Sequence, residues 1–368
     1  MSTRRGNANP ERQRHRLVME LLRQAEVEEE QCLVEGHAQL CSEKIIGAHY
    51  VQEARLSQIA TDGKVMVFAK DVRKFRTKVY SPELRATSNR MLKPKMVCNE
   101  HDLNVFKPIE NADIDSSNRH HCLLLAYRSV LAYMYHKRMM ARWLSKIVSH
   151  DRAAGISSDY MGLQSRISAF TQEEHEARMV KTDIENKIFN NAPDDWEHLE
   201  IGLNVPASVA GIGFLSRGEP PLTVIRDPNL LLRLGGFPQG QMYTPAFEEE
   251  ELLLIRARGL GESPRLFHIV FSVFPQNGMQ KVIVSYPERA RDYAGIVVSA
   301  IEAQPEEQTA HLSRLLLDET ELLMVSPAQW TAFSDDKRTQ IKDYYMNTIT
   351  GDGKLIEDPS GIDLWATA

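Results

Sequence analysis

Apolar residues first recur at helical spacing in Leu17, Met19, Leu21, Leu22 and Val27, separated by Glu and Arg, so residues 11–31 are expected to form a helix with one apolar side. Weak alternation through Lys64-Val65-Met66-Val67-Phe68, after the turn signal Asp62-Gly63, predicts a strand. A short helix is expected from Cys98 to Lys107, ending before Pro108. The pattern then changes. Ser116, Ser117 and Asn118 are available caps for a long helix reaching about His150, whose apolar residues recur every three or four positions. Residues 155–160 break it, and residues 161–190 form a second amphipathic helix, which predicts a helical hairpin. Beyond Asn190 the runs VPASVAGIGFL, LFHIVFSVFP, KVIVSYP and ELLMVSP are strand-like and bounded by Pro, Gly or Asn. The Asn277-Gly278 pair predicts a tight hairpin between two of them. Helices are expected over 290–303 and 310–317, with a capped helix near the C-terminus.

The 368 residues include only four cysteines, which excludes a disulfide scaffold. No run of 18 apolar residues occurs, and no secretory h-region follows the N-terminal arginines, so a cytoplasmic protein without a membrane segment is expected. In a reducing compartment, clustered cysteines are read as metal ligands or as core residues. Cys32, Cys41 and Cys98-x2-His101 have spacings that suit a tetrahedral, structural zinc ion, with the second pair on the first turn of a helix. His37 competes with Cys41 for the second ligand position. Cys122 lies on the apolar face of the long helix and reads as core. The fold class expected is α+β. Residues 1–30 form the N-terminal helix and tail, and 31–115 a small treble-clef-like zinc module. Residues 116–192 form the hairpin, and 193–368 a mixed α+β domain with antiparallel strands.

Charge sharpens this division. Residues 64–95 hold ten Lys and Arg against two acids, a local +8, so the rest of the chain carries −14 of the net −6. Such a stretch is the footprint of phosphate-backbone contact with DNA or RNA, and Arg73, Lys74, Arg76, Lys78, Arg90, Lys93 and Lys95 are its candidate contacts. His49, after Ile45-Ile46-Gly47-Ala48, is a candidate general base for a nuclease. Asp102 and Asn104 on the following helix are its candidate partners, with Mg2+ or another divalent ion as the catalytic metal. Otherwise His49 is a further zinc ligand. No Gly-x-Ser-x-Gly or Walker motif is present. A non-catalytic alternative uses zinc only for folding, and residues 119–190 then bind a protein partner or a second copy of the chain.

The residues Ile46-Gly47-Ala48-His49-x-x-Gln52, Cys98-x-x-His101-Asp102-x-x-x-Phe106-x-Pro108-Ile109-Glu110 and Leu125-Ala126-Tyr127-Arg128 resemble an uncharacterised bacterial family with an HNH-like, zinc-binding N-terminal region. That family usually has Ser where Ala48 stands and a tighter spacing between its first two cysteines. The resemblance covers about residues 30–130. It implies a metal site; the family has no assigned activity to carry over, and the metal-dependent nuclease of the bacterial-defence type expected here rests on His49 and the basic stretch instead.

Overall fold

The computed structural model describes residues 10–36, 40–42, 44–69, 80–110, 112–154, 160–190, 192, 194–218, 266–302, 308–350 and 362–367. The described chain is a mixture of helices and antiparallel sheet. Its elements in order are α1 (Pro10–Glu28), β1 (Ile45–Ile46), α2 (Glu53–Leu56), β2 (Lys64–Ala69), β3 (Glu83–Ala86), β4 (Val97–Cys98), α3 (Asn99–Val105), α4 (Lys107–Glu110), α5 (Arg119–Ala154) and α6 (Tyr160–Phe189). They continue with β5 (Trp196–Ile201), β6 (Val209–Gly218), β7 (Leu266–Gln276), β8 (Met279–Pro287), α7 (Arg291–Glu302), α8 (Gln308–Glu319), β9 (Thr320–Val325), α9 (Pro327–Ala332) and α10 (Asp335–Thr350).

Seven strands form one sheet in the order β3-β2-β9-β6-β7-β8-β5, and every pairing is antiparallel. The sequence boundaries at 115 and 193 therefore do not divide the sheet: β2 and β3 from the N-terminal segment join the later strands through Met66↔Val325 and its neighbours. Both faces are buried, and strand periodicity sorts the side chains between two cores. In β9, Leu322 and Met324 face the core shared with α5 and α6, while Leu323 and Val325 face the core shared with α7 to α10. In β7, Val270 and Phe274 take the first side, and Ile269, Phe271 and Val273 the second. A third, smaller cluster joins Leu21 and Ala25 of α1 to Met139, Met140, Trp143 and Leu144 near the end of α5.

Local chemistry explains several boundaries. The Asn118 side chain accepts from the backbone N–H groups of His120 and His121 and so starts α5. The β7–β8 turn places Asn277 at φ 53° and Gly278 at φ 75°, the left-handed pair that such a hairpin needs. Asp62 and Gly63 do the same before β2, at φ 51° and 67°. Gly213 sits at a bulge in β6 where an added Cβ would lie 1.9 Å from the Phe271 ring, so a side chain has no room. α3 ends at Val105, before Pro108 as expected, and Pro108 belongs to the separate turn that follows. It occupies the first turn of α4, where its missing N–H has no carbonyl to serve.

Candidate metal centre and adjoining polar pocket

Long-range backbone pairing builds the site. β1 pairs with β4 through Ile45↔Cys98 and Ile46↔Val97. The pairing extends outward through Asn99 N to Lys44 O at one end, and through Ala48 N to Pro94 O and Tyr50 N to Leu92 O at the other. Leu33 N donates to Met96 O, which brings the segment after α1 alongside β4. Cys98 then caps α3, its sulfur accepting from His101 N at 3.4 Å, and His101 falls on the first turn.

This geometry gathers Cys32, Cys41, Cys98 and His101, whose ligand atoms all lie within 4.8 Å of one another. Cys32 Sγ is 3.1 Å and Cys98 Sγ 3.3 Å from His101 Nδ1. Cys98 and His101 are buried, Cys32 is half-buried and Cys41 is exposed. Backbone N–H groups donate to the sulfurs: Ser42 and His101 to Cys98, and Cys98 to Cys32, each at 3.4 Å. Donors aimed at sulfur favour the thiolate, the form that binds metal. Burial works against a Cys98 thiolate, yet the Ser42 and His101 donors prevail and bring its pKa down to about 7. Burial pushes Cys32 up to about 12, so metal uptake there displaces a proton. Three sulfurs and one imidazole nitrogen at this spacing fit a four-coordinate metal ion. Of the two candidates for the second ligand position, Cys41 is in the cluster, and His37 lies outside the described residues.

The segment bearing Cys32 is strapped to α6. Buried Lys181 bonds Glu35 and Glu185, each at 3.0 Å, and Glu35 N donates to Glu185. Tyr127 OH donates to the same Glu185 carboxylate at 2.5 Å. Gly36 passes so close to Phe189 that an added Cβ would sit 2.2 Å from its ring.

His49 does not belong to the cluster of four. It lies among other polar side chains farther along the same pairing. Its Nε2 is buried and makes no hydrogen bond, although Glu53 Oε2 lies 3.3 Å away. Burial first, then Lys93, lowers its pKa to about 4, so the imidazole is neutral at pH 7. Glu110 and Arg128 also act on His49 electrostatically. The same two residues act on Asp102, whose carboxyl burial pushes up. Asn104 is exposed and donates back along its own helix to Glu100 O at 2.7 Å.

Glu53, Glu110 and Arg128 stand outside the site residues expected from the sequence. Arg128 left a signal: it stands alone in the apolar run Leu123–Ala132 of α5, where a charge needs a buried partner. Of the candidate nucleic-acid contacts, Arg73, Lys74, Arg76 and Lys78 lie outside the described residues. Arg90 and Lys95 pair with Glu30 at 2.9 and 2.7 Å, and Lys93 with Glu53 at 3.1 Å. Cys122 is fully buried at the start of α5 and apart from the cluster. No helix among the described residues is long and apolar enough to cross a membrane.

No protein-family model, curated protein or solved structure matches this chain.

Proposed function

We propose that the chain is a metal-dependent phosphodiesterase of the nuclease kind, with a structural zinc ion on Cys32, Cys41, Cys98 and His101 and a separate catalytic pocket at His49. A donor set of three thiolates and one imidazole suits zinc, and with all four positions taken by protein the ion serves folding. The observation that carries the catalytic reading is the neutral His49 ring with Glu53 3.3 Å from its Nε2, in one electrostatic neighbourhood with Asp102, Glu110 and Arg128. Closing that gap to a hydrogen bond fixes the tautomer that leaves Nδ1 bare. His49 Nδ1 then takes a proton from the attacking water, and Glu53 orients the ring. Asp102 is the carboxylate suited to hold a divalent ion such as Mg2+, which when bound offsets charge on the phosphate and leaving oxygen. Asn104 is given no role in this reading; its amide donates along its own helix.

The test is cleavage of plasmid DNA and of structured RNA by the purified chain with Mg2+ or Mn2+. His49→Ala is expected to abolish cutting while zinc content and melting temperature hold. Release of zinc by that substitution, or no divalent-dependent cutting by the parent chain, overturns the reading.

The ion pairs of Arg90, Lys93 and Lys95 favour a second reading. Cations already matched to Glu30 and Glu53 bring little free positive charge to a nucleic acid. On this reading the chain is a zinc-stapled interaction protein, and the α5–α6 hairpin receives a partner or a second copy. Absence of cutting together with one bound zinc per chain is its expected signature.

A further inference from the structure

We infer that the Arg128 guanidinium is the seat for the substrate's phosphate, closed by Glu110 in the free protein and opened when the anion displaces that carboxylate. The inference rests on the phosphodiesterase reading and names a residue outside its acid–base set.

The Arg128 side chain is only 4% exposed, and its bonded partner is Glu110. Its Nε is buried and has no partner among the described residues. A buried donor left unmade is costly, so such a group in a folded chain calls for an explanation. A phosphate oxygen supplies the missing acceptor. The planar fork of Arg offers parallel donors matched to two phosphate oxygens, which one Glu oxygen does not satisfy. The plane is already set: the guanidinium carbon lies 4.5 Å from the centre of the Phe106 ring, and Phe106 in turn stacks on Tyr127. Fixing the fork in advance removes the ordering cost of binding.

Glu110 suits a displaceable stopper. Its side chain is 36% exposed, against 4% for Arg128, so it can turn to water while the guanidinium stays in place. It also hangs from the short α4, which follows the helix carrying Asp102. His49 feels both Glu110 and Arg128, so an anion seated on Arg128 lies in the neighbourhood of the proposed base. The facing charges are mixed. Lys93 and Arg55 add positive charge, while Glu53, Asp102 and Asp113 add negative charge. The seat therefore favours an anion that arrives with a divalent cation or after Glu110 has moved.

The experiment uses the full zinc-loaded chain with Arg128→Gln, Arg128→Lys and Glu110→Gln, and two readouts. Calorimetric titration with inorganic phosphate reads the seat itself. Glu110→Gln is expected to tighten phosphate severalfold by removing the competitor, and Arg128→Gln to abolish binding. Hydrolysis of bis(p-nitrophenyl) phosphate with Mg2+ reads catalysis. Arg128→Gln is expected to lower kcat on the order of 100-fold, as loss of one transition-state donor does. Arg128→Lys, which keeps charge without the fork, should fall between. Unchanged or weaker phosphate binding in Glu110→Gln overturns the seat, and this holds even if the Arg128 variants fail to fold. Equal phosphate binding by the parent and Arg128→Gln also overturns it. Phosphate binding with the expected order but no hydrolysis by any form overturns the phosphodiesterase reading and leaves the seat standing.

Discussion

Two regions of this molecule bury polar groups, and they balance them in opposite ways. In the hairpin, Lys137 is fully buried between α5, α6 and β9, with Glu173 at 2.5 Å and Glu321 at 2.7 Å. His136 adds a contact to Glu321 at 3.1 Å, and the rings of Tyr133 and Phe170 flank the ammonium at 4.7 and 5.1 Å. Burial opposes the charge on Lys137, yet the two carboxylates hold its pKa above the usual lysine value. That cluster supplies its own counter-charges. The Cys32/Cys41/Cys98/His101 cluster does not. Its sulfurs face one another and an imidazole, and the nearby N–H donors favour negative charge on them. The difference teaches where a ligand fits: one site is complete as a set of side chains, and the other gathers sulfur donors whose negative charge only a cation would offset.

Metal removal is the strongest way to break the comparison. A chelator, or Cys98→Ser, should cost the stability that metal binding lends the fold, on the order of 10 kcal/mol in small isolated zinc units. Cys41→Ser should cost less, since that ligand is exposed and water can replace it. Elemental analysis and thermal melting check both. A melting temperature indifferent to chelation would remove the metal from the first cluster.

Lys137→Met attacks the other side. It takes the ammonium from between Glu173 and Glu321, and breaking a buried pair in this way costs about 3–5 kcal/mol. Adding Glu321→Leu should recover part of the loss, because a buried carboxylate is then removed together with the cation it faced. Chelator should not deepen the effect. Denaturant melts of the single and double variants, with and without chelator, decide it; strong chelator dependence would mean that the two clusters are not independent.

The sequence carried these two regions unequally. Cys98-x2-His101 was legible because both ligands sit on one helical turn, and the β7–β8 hairpin because Asn277-Gly278 fixes a local conformation. The long helices were legible from apolar spacing. The joining of β2 to β9 was not, because the register between Met66 and Val325 leaves no trace in either strand alone. β5 was missed for another reason. Trp196–Ile201 is a sheet-edge strand whose His, Glu and Leu side chains give no steady alternation. Nothing in the sequence sets Lys137 apart from the other cations of its helix. Only the packing of α6 and β9 shows that it is buried, and likewise only folding puts Glu53, Glu110 and Arg128 around His49.

Acid gives a graded test. His268 is buried and His49 and His198 are half-buried, and desolvation lowers each pKa to about 4. An unfolded histidine titrates near 6.5, so between about pH 6.5 and 4 the unfolded chain binds more protons than the folded one. Stability therefore falls as pH drops through that window, by at most about 1.4 kcal/mol per pH unit for each imidazole. The Lys137 cluster keeps its cation throughout, since its pKa is raised. Melting curves at pH 7 and pH 5 should differ in the parent chain. His268→Phe should reduce the difference, because that ring already stacks on Phe214 at 5.6 Å and its buried Nδ1 has no partner. An unchanged pH dependence in His268→Phe would show that His268 is not buried neutral.

The smallest effect is expected at the fourth cysteine. Cys122 is fully buried, lies outside the metal cluster, and has a pKa pushed up to about 12 by burial. Its Sγ lies 3.5 Å from Ser116 O, a weak contact at the start of α5. Cys122→Ala removes one buried sulfur and should cost about 1 kcal/mol, with no change in bound metal. The thiols of the cluster should behave otherwise. In the metal-free chain Cys41 is exposed, so it should be alkylated by iodoacetamide before the buried Cys98 and Cys122. Metal should protect Cys41 and leave Cys122 as it was. Peptide mapping after brief alkylation, with and without zinc, separates a cysteine that packs from cysteines that bind. Protection of Cys122 by metal would place it with the ligands and undo the division between the two regions.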